Sequence, residues 1–240
     1  MRFSSRELIV VMPVYNEAEC IQNVLSEWRD ALENLGIDFQ IVALNDGSKD
    51  QTATVLEAFA DDARFQIVNK ANSGHGPTIL EGYRDAVSRA KWVFQVDSDD
   101  EMKPASFGEL WKRREKYDAL FGYRHNREQE PARRFLSAGS RAVVRLLFGR
   151  GVRDVNTPYR LMRSEVLAPI VARIPDDTFA PNILITGVLS RQKRKIFNFP
   201  VPHEGRKTGQ MSLTSAKVWR VALRSFAQTL LFQLSELRRR

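Results

Sequence analysis

The sequence predicts an α/β fold built on a mostly parallel, doubly wound sheet, and three observations predict it. Apolar strand-like runs alternate with helix-patterned stretches through the first half of the 240-residue chain. Those runs are rich in consecutive Ile and Val, as strands covered on both faces require. A polar loop follows each run, and in such sheets ligands sit beyond the carboxyl ends of the strands.

Taken in order, "ELIVVMPVYN" (7–16) reads as a buried strand. Asn16, Glu17 and Glu19 open a helix to about Leu35, with Ile21, Val24, Leu25, Trp28 and Leu32 at helical spacing and Gly36 as its stop. "FQIVALND" (39–46) is the next strand, and "GSKDQTATVLEAFA" starts a helix after a polar turn. "FQIVNKANS" (65–73) gives a third strand, "GHGPTILEGYRDAVSRA" a glycine-opened helix, and "KWVFQVDS" (91–98) a fourth strand. This alternation implies right-handed crossovers. It brings "VMPVYNE", "LNDGSKD", "NSGHG" and "DSDDE" to one edge of the sheet.

The second half differs. From Arg124 to Arg163 there are ten arginines, no lysine and three acids, Glu128, Glu130 and Asp154. "VNTPYRLMRSEVL" reads as a turn, a short strand and a helix. "KIFNFPVPHEGR" is a strand interrupted by prolines, which places it at an edge. In the tail, 214–240, Trp219, Leu223, Phe226, Leu230, Leu234 and Leu237 form an apolar stripe, with Lys217, Arg220 and Arg224 off it. Such a helix either lies on an anionic membrane surface or packs on the domain.

Composition narrows the function. The chain fits one large domain or two small ones. Its net charge of +8 points to an anionic partner: nucleic acid, a lipid surface or a phosphorylated small molecule. The single cysteine, Cys20, excludes an intramolecular disulfide and reads as a buried filler. Three scattered histidines (His75, His125, His203) build no zinc site. "MRFSSRELIVV" lacks the apolar core of a signal peptide. No uncharged apolar run reaches the roughly 18 residues of a membrane span, "TFAPNILITGVLS" being broken by Pro181. A cytoplasmic protein without a transmembrane helix is expected. Trp28, Trp92 and Trp111 read as core residues, with no sugar platform among them.

The chemistry concentrates in "FQVDSDDEMKP" (94–104), where Asp97, Asp99, Asp100 and Glu101 crowd the end of a strand. Like charges about 4 Å apart cost about 1 kcal/mol even in water. Either the turn lies open to solvent or something cationic belongs there. Asp-x-Asp places hard oxygen ligands near one point, suited to Mg²⁺ or Mn²⁺ with further oxygens from a substrate diphosphate. Asp46 in "NDGSKD" is either part of a turn around Gly47 or an acceptor for a base or ribose hydroxyl. Tyr15 and Glu17 either end a strand or stack on and hydrogen-bond a base. "NSGHG" offers glycines at a helix N-terminus, a favourable place for anions, although its spacing matches neither a dinucleotide fingerprint nor a P-loop.

The four segments "VVMPVYNEAECIQNVL", "LNDGSKDQT", "NSGHGPTILEGY" and "VFQVDSDDEMKP", in this order, resemble the GT-A glycosyltransferases of family 2. "FGYRHNR", "DVNTPYRLMR" and "VPHEGRKTGQMSL" resemble its polyprenyl-phosphate branch, which includes dolichyl-phosphate mannose synthases and undecaprenyl-phosphate sugar transferases. The resemblance implies a GT-A domain over 1–213, a nucleotide-binding half to about 104, an acceptor half over 105–213, and a basic helical tail. It implies that Pro13, Tyr15, Glu17, Asp46, Ser48 and Gly74 bind the nucleotide sugar, and that Asp97 faces donor sugar and ribose. Asp99 would be the metal ligand. Glu101 stands where the family commonly has a metal-reaching glutamine. Arg124 falls in the phosphate region, with Arg127, Arg133 and Arg134 as further contacts to an acceptor phosphate. Arg206 would lie on a loop closing over the diphosphate, oriented by His203; Ser212 replaces the family's lysine there.

The resemblance thus implies an inverting, Mg²⁺- or Mn²⁺-dependent transfer from a nucleotide-diphosphate sugar to a polyprenyl phosphate. The setting would be the inner face of the cytoplasmic membrane, in cell-envelope polysaccharide synthesis, with a peripheral attachment and room for a membrane-protein partner. Arginine to the exclusion of lysine favours bidentate phosphate contact. A glycan acceptor is the nearest alternative. A non-catalytic basic module for membranes or nucleic acid is more remote, because no nucleic-acid-binding motif accompanies the charge.

Overall fold

The computed structural model describes residues 6–125, 154–202 and 227–232. Seven strands form one sheet: β1 (Arg6–Val14), β2 (Phe39–Asp46), β3 (Phe65–Lys70), β4 (Ala90–Gln95), β5 (Ala119–His125), β6 (Arg160–Arg163) and β7 (Ile196–Pro202). Their order is β3-β2-β1-β4-β6-β5-β7. All neighbours run parallel except β6, which is antiparallel to both β4 and β5. Reversal of β6 matters for function. It puts the segment entering β6 at the same edge as the carboxyl ends of the other strands, with Gln95 of β4 in register with Arg160 of β6.

Each expected strand is present, and the proline-bearing β7 occupies an edge as its sequence requires. Six helices cover the sheet: α1 (Ile21–Asn34), α2 (Thr52–Glu57), α3 (His75–Ala86), α4 (Phe107–Arg113), α5 (Ser164–Val171) and α6 (Pro181–Arg191). α1 buries Ile21, Val24, Leu25, Trp28 and Leu32, the whole stripe read from spacing, and Gly36 follows it with φ +65°. α2 is shorter than its pattern suggests, because tight turns end it: Phe59 N–H donates to Leu56 C=O and Ala60 N–H to Glu57 C=O. Pro181 breaks no helix; it is the first residue of α6, where its missing N–H costs nothing.

Two cores form, one per face. Leu8, Val10 and Met12 of β1 face α1 and α4, while Ile9 and Val11 face α3, α5 and α6. The first core is aromatic. Phe94 of β4 lies 5.2 Å from Trp28, 4.7 Å from Phe107 and 4.9 Å from Tyr159, ring centre to centre. That packing fixes the stem on which the acidic turn stands. Trp28, Trp92 and Trp111 are all buried, as expected of core residues. No helix among the described residues is long and apolar enough to cross a membrane.

Of the tail, residues 227–232 are helical. Thr229 and Phe232 are buried, whereas Leu230 is 38 % exposed, so the inward side of this turn is not the stripe read from the sequence. Gln228 explains the rotation: its Oε1 accepts the Phe179 N–H at 2.9 Å and its Nε2 donates to Asp177 C=O at 3.1 Å. The remainder of the tail and the arginine-rich stretch over 126–153 lie outside the described residues.

Candidate active site

Four loops meet beyond β1, β2, β3 and β4, tied together by side chains that capture main-chain N–H groups. Asn16, at φ +54°, donates its N–H to Ser48 Oγ at 3.0 Å, and its Oδ1 accepts from Lys49 N–H at 2.8 Å. Glu17 N–H reaches Thr52 Oγ1 and Ala18 N–H reaches Asp50 Oδ2. Burial works against the Asp50 carboxylate, yet bonds from Thr52 and Ala18 hold its pKa below the ordinary value. Gly47, at φ +67°, is required twice over, since a Cβ there would stand 2.8 Å from Asn72 N.

Asp46 organises the next loop. It is 4 % exposed; Oδ1 accepts Ser73 N–H at 2.8 Å and Lys70 Nζ at 3.2 Å, and Oδ2 accepts Gly74 N–H at 2.9 Å. Burial would raise its pKa, but donors from Ser73, Thr78, Lys70 and Gly74 outweigh it and the net shift is downward. Asp46 is therefore first a structural anchor. Oδ2, which accepts the Gly74 N–H, keeps acceptor capacity for a ligand. Gly74, at φ +93°, starts α3. Gly76 follows with Phe179 and Thr178 carbonyls where a Cβ would be.

The acidic turn is compensated from within the protein to a degree its sequence does not show. Asp97 Oδ1 accepts from Gln95 Nε2 at 2.8 Å and from His75 Nε2 at 3.0 Å. Asp100, at φ +61°, turns to Lys103, whose Nζ lies 2.6 Å from Oδ1 and also reaches Glu27. Thus Asp97 and Asp100 already face a donor and a cation from within the protein, and an added ion would act beside these partners. Asp99 Oδ1 accepts Glu101 N–H at 3.2 Å, so these two carboxylates share one tight turn. Crowding by neighbouring atoms opposes protonation of His75, yet the carboxylates of Asp97, Asp99 and Asp46 raise its pKa overall, although the ring stands half open to solvent.

Among the described residues, no three His, Cys, Asp or Glu side chains form a ready-made metal cage. The donor set still fits Mg²⁺ or Mn²⁺, because such ions take one or two protein carboxylates and fill the rest with water and phosphate oxygens. Asp99 and Glu101, both partly exposed, supply that number.

Other expected residues fall as follows. Pro13 is buried inside β1 opposite Leu44, shaping the strand end rather than lining the cleft. Tyr15 is 36 % exposed, as a stacking residue needs. Glu17 turns inward, 6 % exposed, with the Cys20 thiol 3.3 Å from Oε2, so its carboxylate does not face the open cleft. Arg124 lies near the end of β5 and pairs with Asp154 Oδ2 at 3.0 Å, so its charge is partly spent within the protein. Arg127, Arg133, Arg134, His203, Arg206 and Ser212 lie outside the described residues.

Of three contributors that sequence reasoning missed, two had no signal strong enough to single them out. His75 sat inside a loop read for its glycines, and Asp154 was one acid among ten arginines. Gln95, 0 % exposed in an apolar strand, was the one legible anomaly, since a fully buried polar side chain needs a partner. An open groove of about 520 Å³ beside α3, lined by Lys70, Ser73, Pro77, Glu81, Arg84, Asp176 and Asp177, excludes Asp97 and Asp99. Its mixed charge offers no cradle for a diphosphate.

Comparison with known proteins agrees with this architecture. An uncharacterised protein of Methanocaldococcus jannaschii is 28 % identical over 228 residues, covering 90 % of this chain and 96 % of that one. An undecaprenyl-phosphate 4-deoxy-4-formamido-L-arabinose transferase of Pseudomonas paraeruginosa is 29 % identical over 213 residues, covering 87 % of this chain and 61 % of its own length. The chain therefore spans about three-fifths of that transferase. Among solved structures, glucosyl-3-phosphoglycerate synthase of Mycobacterium tuberculosis, in complex with Mn²⁺, UDP-glucose and phosphoglyceric acid, superposes with a TM-score of 0.69. At 16 % identity, over 95 % of this chain and 80 % of that one, it shows the fold alone. The model of glycosyl transferase family 2 matches residues 9–170, across the anchored loops and the acidic turn alike, and the chain belongs to that family as a glycosyltransferase domain of the GT-A fold.

Proposed function

We propose that this chain transfers a sugar from a nucleotide-diphosphate sugar to a polyprenyl phosphate, with Mg²⁺ or Mn²⁺, as a peripheral protein at the inner face of the cytoplasmic membrane. One observation carries the reading. The acidic turn beyond β4 and the pair of Arg124, near the end of β5, with Asp154, ahead of β6, stand on the same sheet edge. A donor leaving group and an anionic acceptor need that pairing of opposite characters. The transferase relatives, named for an undecaprenyl-phosphate acceptor, support the lipid phosphate over a glycan.

The chain's residues divide the work. Tyr15 and the remaining acceptor on Asp46 receive the nucleoside. Asp97, held through Oδ1, offers Oδ2 to hydroxyls of the donor and orients the anomeric carbon. Asp99 and Glu101 would hold the divalent ion, which supplies electrostatic stabilisation of the departing diphosphate. Arg124 draws the acceptor phosphate to the opposite side. An acceptor oxygen forms the new bond to the anomeric carbon as the bond to the diphosphate breaks, inverting that centre. A phosphate oxygen is already anionic at neutral pH, so no side chain must take a proton. Catalysis then rests on positioning and electrostatics.

The test is direct. Protein, Mn²⁺, undecaprenyl phosphate and a panel of UDP- and GDP-sugars should yield a butanol-extractable sugar lipid with at least one donor. Loss of the proposal follows if every donor gives only a water-soluble glycan product, or none.

A further inference from the structure

We infer that Tyr83, Asn182 and Gln95 form a buried, directional hydrogen-bond relay that sets the orientation of Asp97, making Asn182, remote in sequence and on α6, a positioning residue for the transfer. The inference rests on the donor-facing role of Asp97 proposed above.

All three side chains are sealed from water: Tyr83 and Gln95 are 0 % exposed and Asn182 is 2 %. Tyr83 Oη donates to Asn182 Oδ1 at 2.8 Å, Asn182 Nδ2 donates to Gln95 Oε1 at 3.0 Å, and Gln95 Nε2 donates to Asp97 Oδ1 at 2.8 Å. The amide links meet a donor with an acceptor in only one sense, and Tyr83 Oη, 3.3 Å from Gln95 Oε1 as well, faces both amide oxygens. A carboxylate accepts only, so Gln95 must turn its NH₂ to Asp97, and its oxygen then faces inward. Beside that oxygen an amide oxygen would be repelled, which fixes the NH₂ of Asn182 toward it at 3.0 Å. The Asn182 oxygen is left facing the phenol, whose pKa burial pushes far up, so it remains a donor at any working pH. Reversing any one amide would set two oxygens, or two NH₂ groups, against each other.

Arg160 braces the relay without closing it. It is 0 % exposed and donates to Asn182 C=O at 3.2 Å, to Thr157 C=O at 2.9 Å and to Val155 C=O at 3.2 Å. Asn182 is thereby held at its main chain while its side chain points toward β4. On the solvent side His75 grips the same Asp97 oxygen. Two donors converge on Oδ1, and no protein donor among the described residues reaches Oδ2. The carboxylate cannot rotate without losing both bonds, so Oδ2 has one direction in which to meet a ligand.

Substitutions at Asn182 separate polarity from packing. Asn182→Asp keeps the shape but replaces the inward NH₂ with an oxygen, setting it against Gln95 Oε1 and favouring reversal of the Gln95 amide. Asn182→Ala loses volume but leaves a polar gap in which a water can donate to Gln95. The relay predicts that Asp lowers kcat more than Ala, by about tenfold against about threefold, with KM for the donor changed less than about twofold in both. A packing role lowers kcat only as far as each variant lowers the melting temperature, since a buried carboxylate and a cavity both cost stability, and it leaves Asp97 where it stands. Tyr83→Phe should resemble the milder variant.

A crystal structure of Asn182→Asp supplies a readout independent of activity. Asp97 should adopt a second rotamer or lose its contact with residue 95. An unmoved Asp97, or Ala more damaging than Asp, overturns the relay. If wild-type protein transfers no sugar while Asp97 moves in the variant, the relay stands and the proposed reaction falls.

Discussion

Beyond β2, Asp46 gathers main-chain N–H groups; beyond β4, the segment entering β6 hangs on Arg160, which gathers main-chain carbonyls. The side proposed to take the donor is thus held by anions and hydroxyls, the side proposed to take the acceptor by a buried guanidinium. On the donor side, partners sit within loops that follow consecutive strands, so short motifs record them. On the acceptor side, Arg160 draws together carbonyls from 155, 157 and 182, and nothing local in its sequence announces that. Both arrangements stiffen loops, but they respond differently to charge and pH, and that difference can be tested.

The largest effect is expected on the donor side. Asp99→Ala should lower transfer at least about 100-fold, as removal of a group stabilising leaving-group charge typically does. Its melting temperature should change little, because Asp99 is only partly buried. Calorimetry of Mn²⁺ with a nucleoside diphosphate should show the binding lost together with the activity. Binding that survives intact would move the metal role elsewhere in the turn.

Next comes the buried cation. Arg160→Leu removes donors from three main-chain carbonyls and the contact over the Phe121 ring, 4.6 Å from the guanidinium carbon. Leaving such acceptors unsatisfied should cost about 2–4 kcal/mol of stability, read as a lower urea midpoint. If stability holds within about 0.5 kcal/mol, the contrast between the two sides is false.

A pH series sharpens the contrast further. Asp46 has a depressed pKa in the folded chain, so its contribution is present above the unfolded value near 3.8 and fades as pH falls through the folded value. Asp46→Asn should therefore lose about 1–3 kcal/mol at pH 7 and approach wild type as pH falls through the folded value. Arg160→Leu should show no such convergence, its guanidinium being charged throughout.

The same contrast explains what was legible. The strand–helix alternation of the first half, the α1 stripe and the edge position of β7 follow from periodicity and proline chemistry, which act locally. Asp97 and Asp99 stood out because acids at a buried strand end are rare without a purpose. The self-compensation of the turn did not, because Lys103 meets Glu27 across 76 positions and His75 meets Asp97 across 22. The inward turn of Glu17 depended on Cys20 and on packing under the loop. The rotation of the tail depended on Gln228 finding two main-chain partners in a distant loop.

Lys103 offers the smallest and most diagnostic effect. Its pKa is raised although burial opposes this, because Asp100 and Glu27 hold the ammonium. With 29 % of its side chain exposed, the pair should add no more than about 1 kcal/mol to stability. Lys103→Met removes a positive charge from beside the acidic turn while leaving Asp99 and Glu101 in place. Unit charges about 8 Å apart at high effective dielectric repel by about 0.5–1 kcal/mol, and loss of the ammonium should favour a bound cation by up to that amount. Mn²⁺ should consequently bind about two- to fivefold more tightly, with the gain shrinking as salt is raised. Unchanged affinity would mean that Asp100 and Lys103 form a closed pair with no field at the metal position, and the acidic turn would then function as two independent halves rather than one cluster.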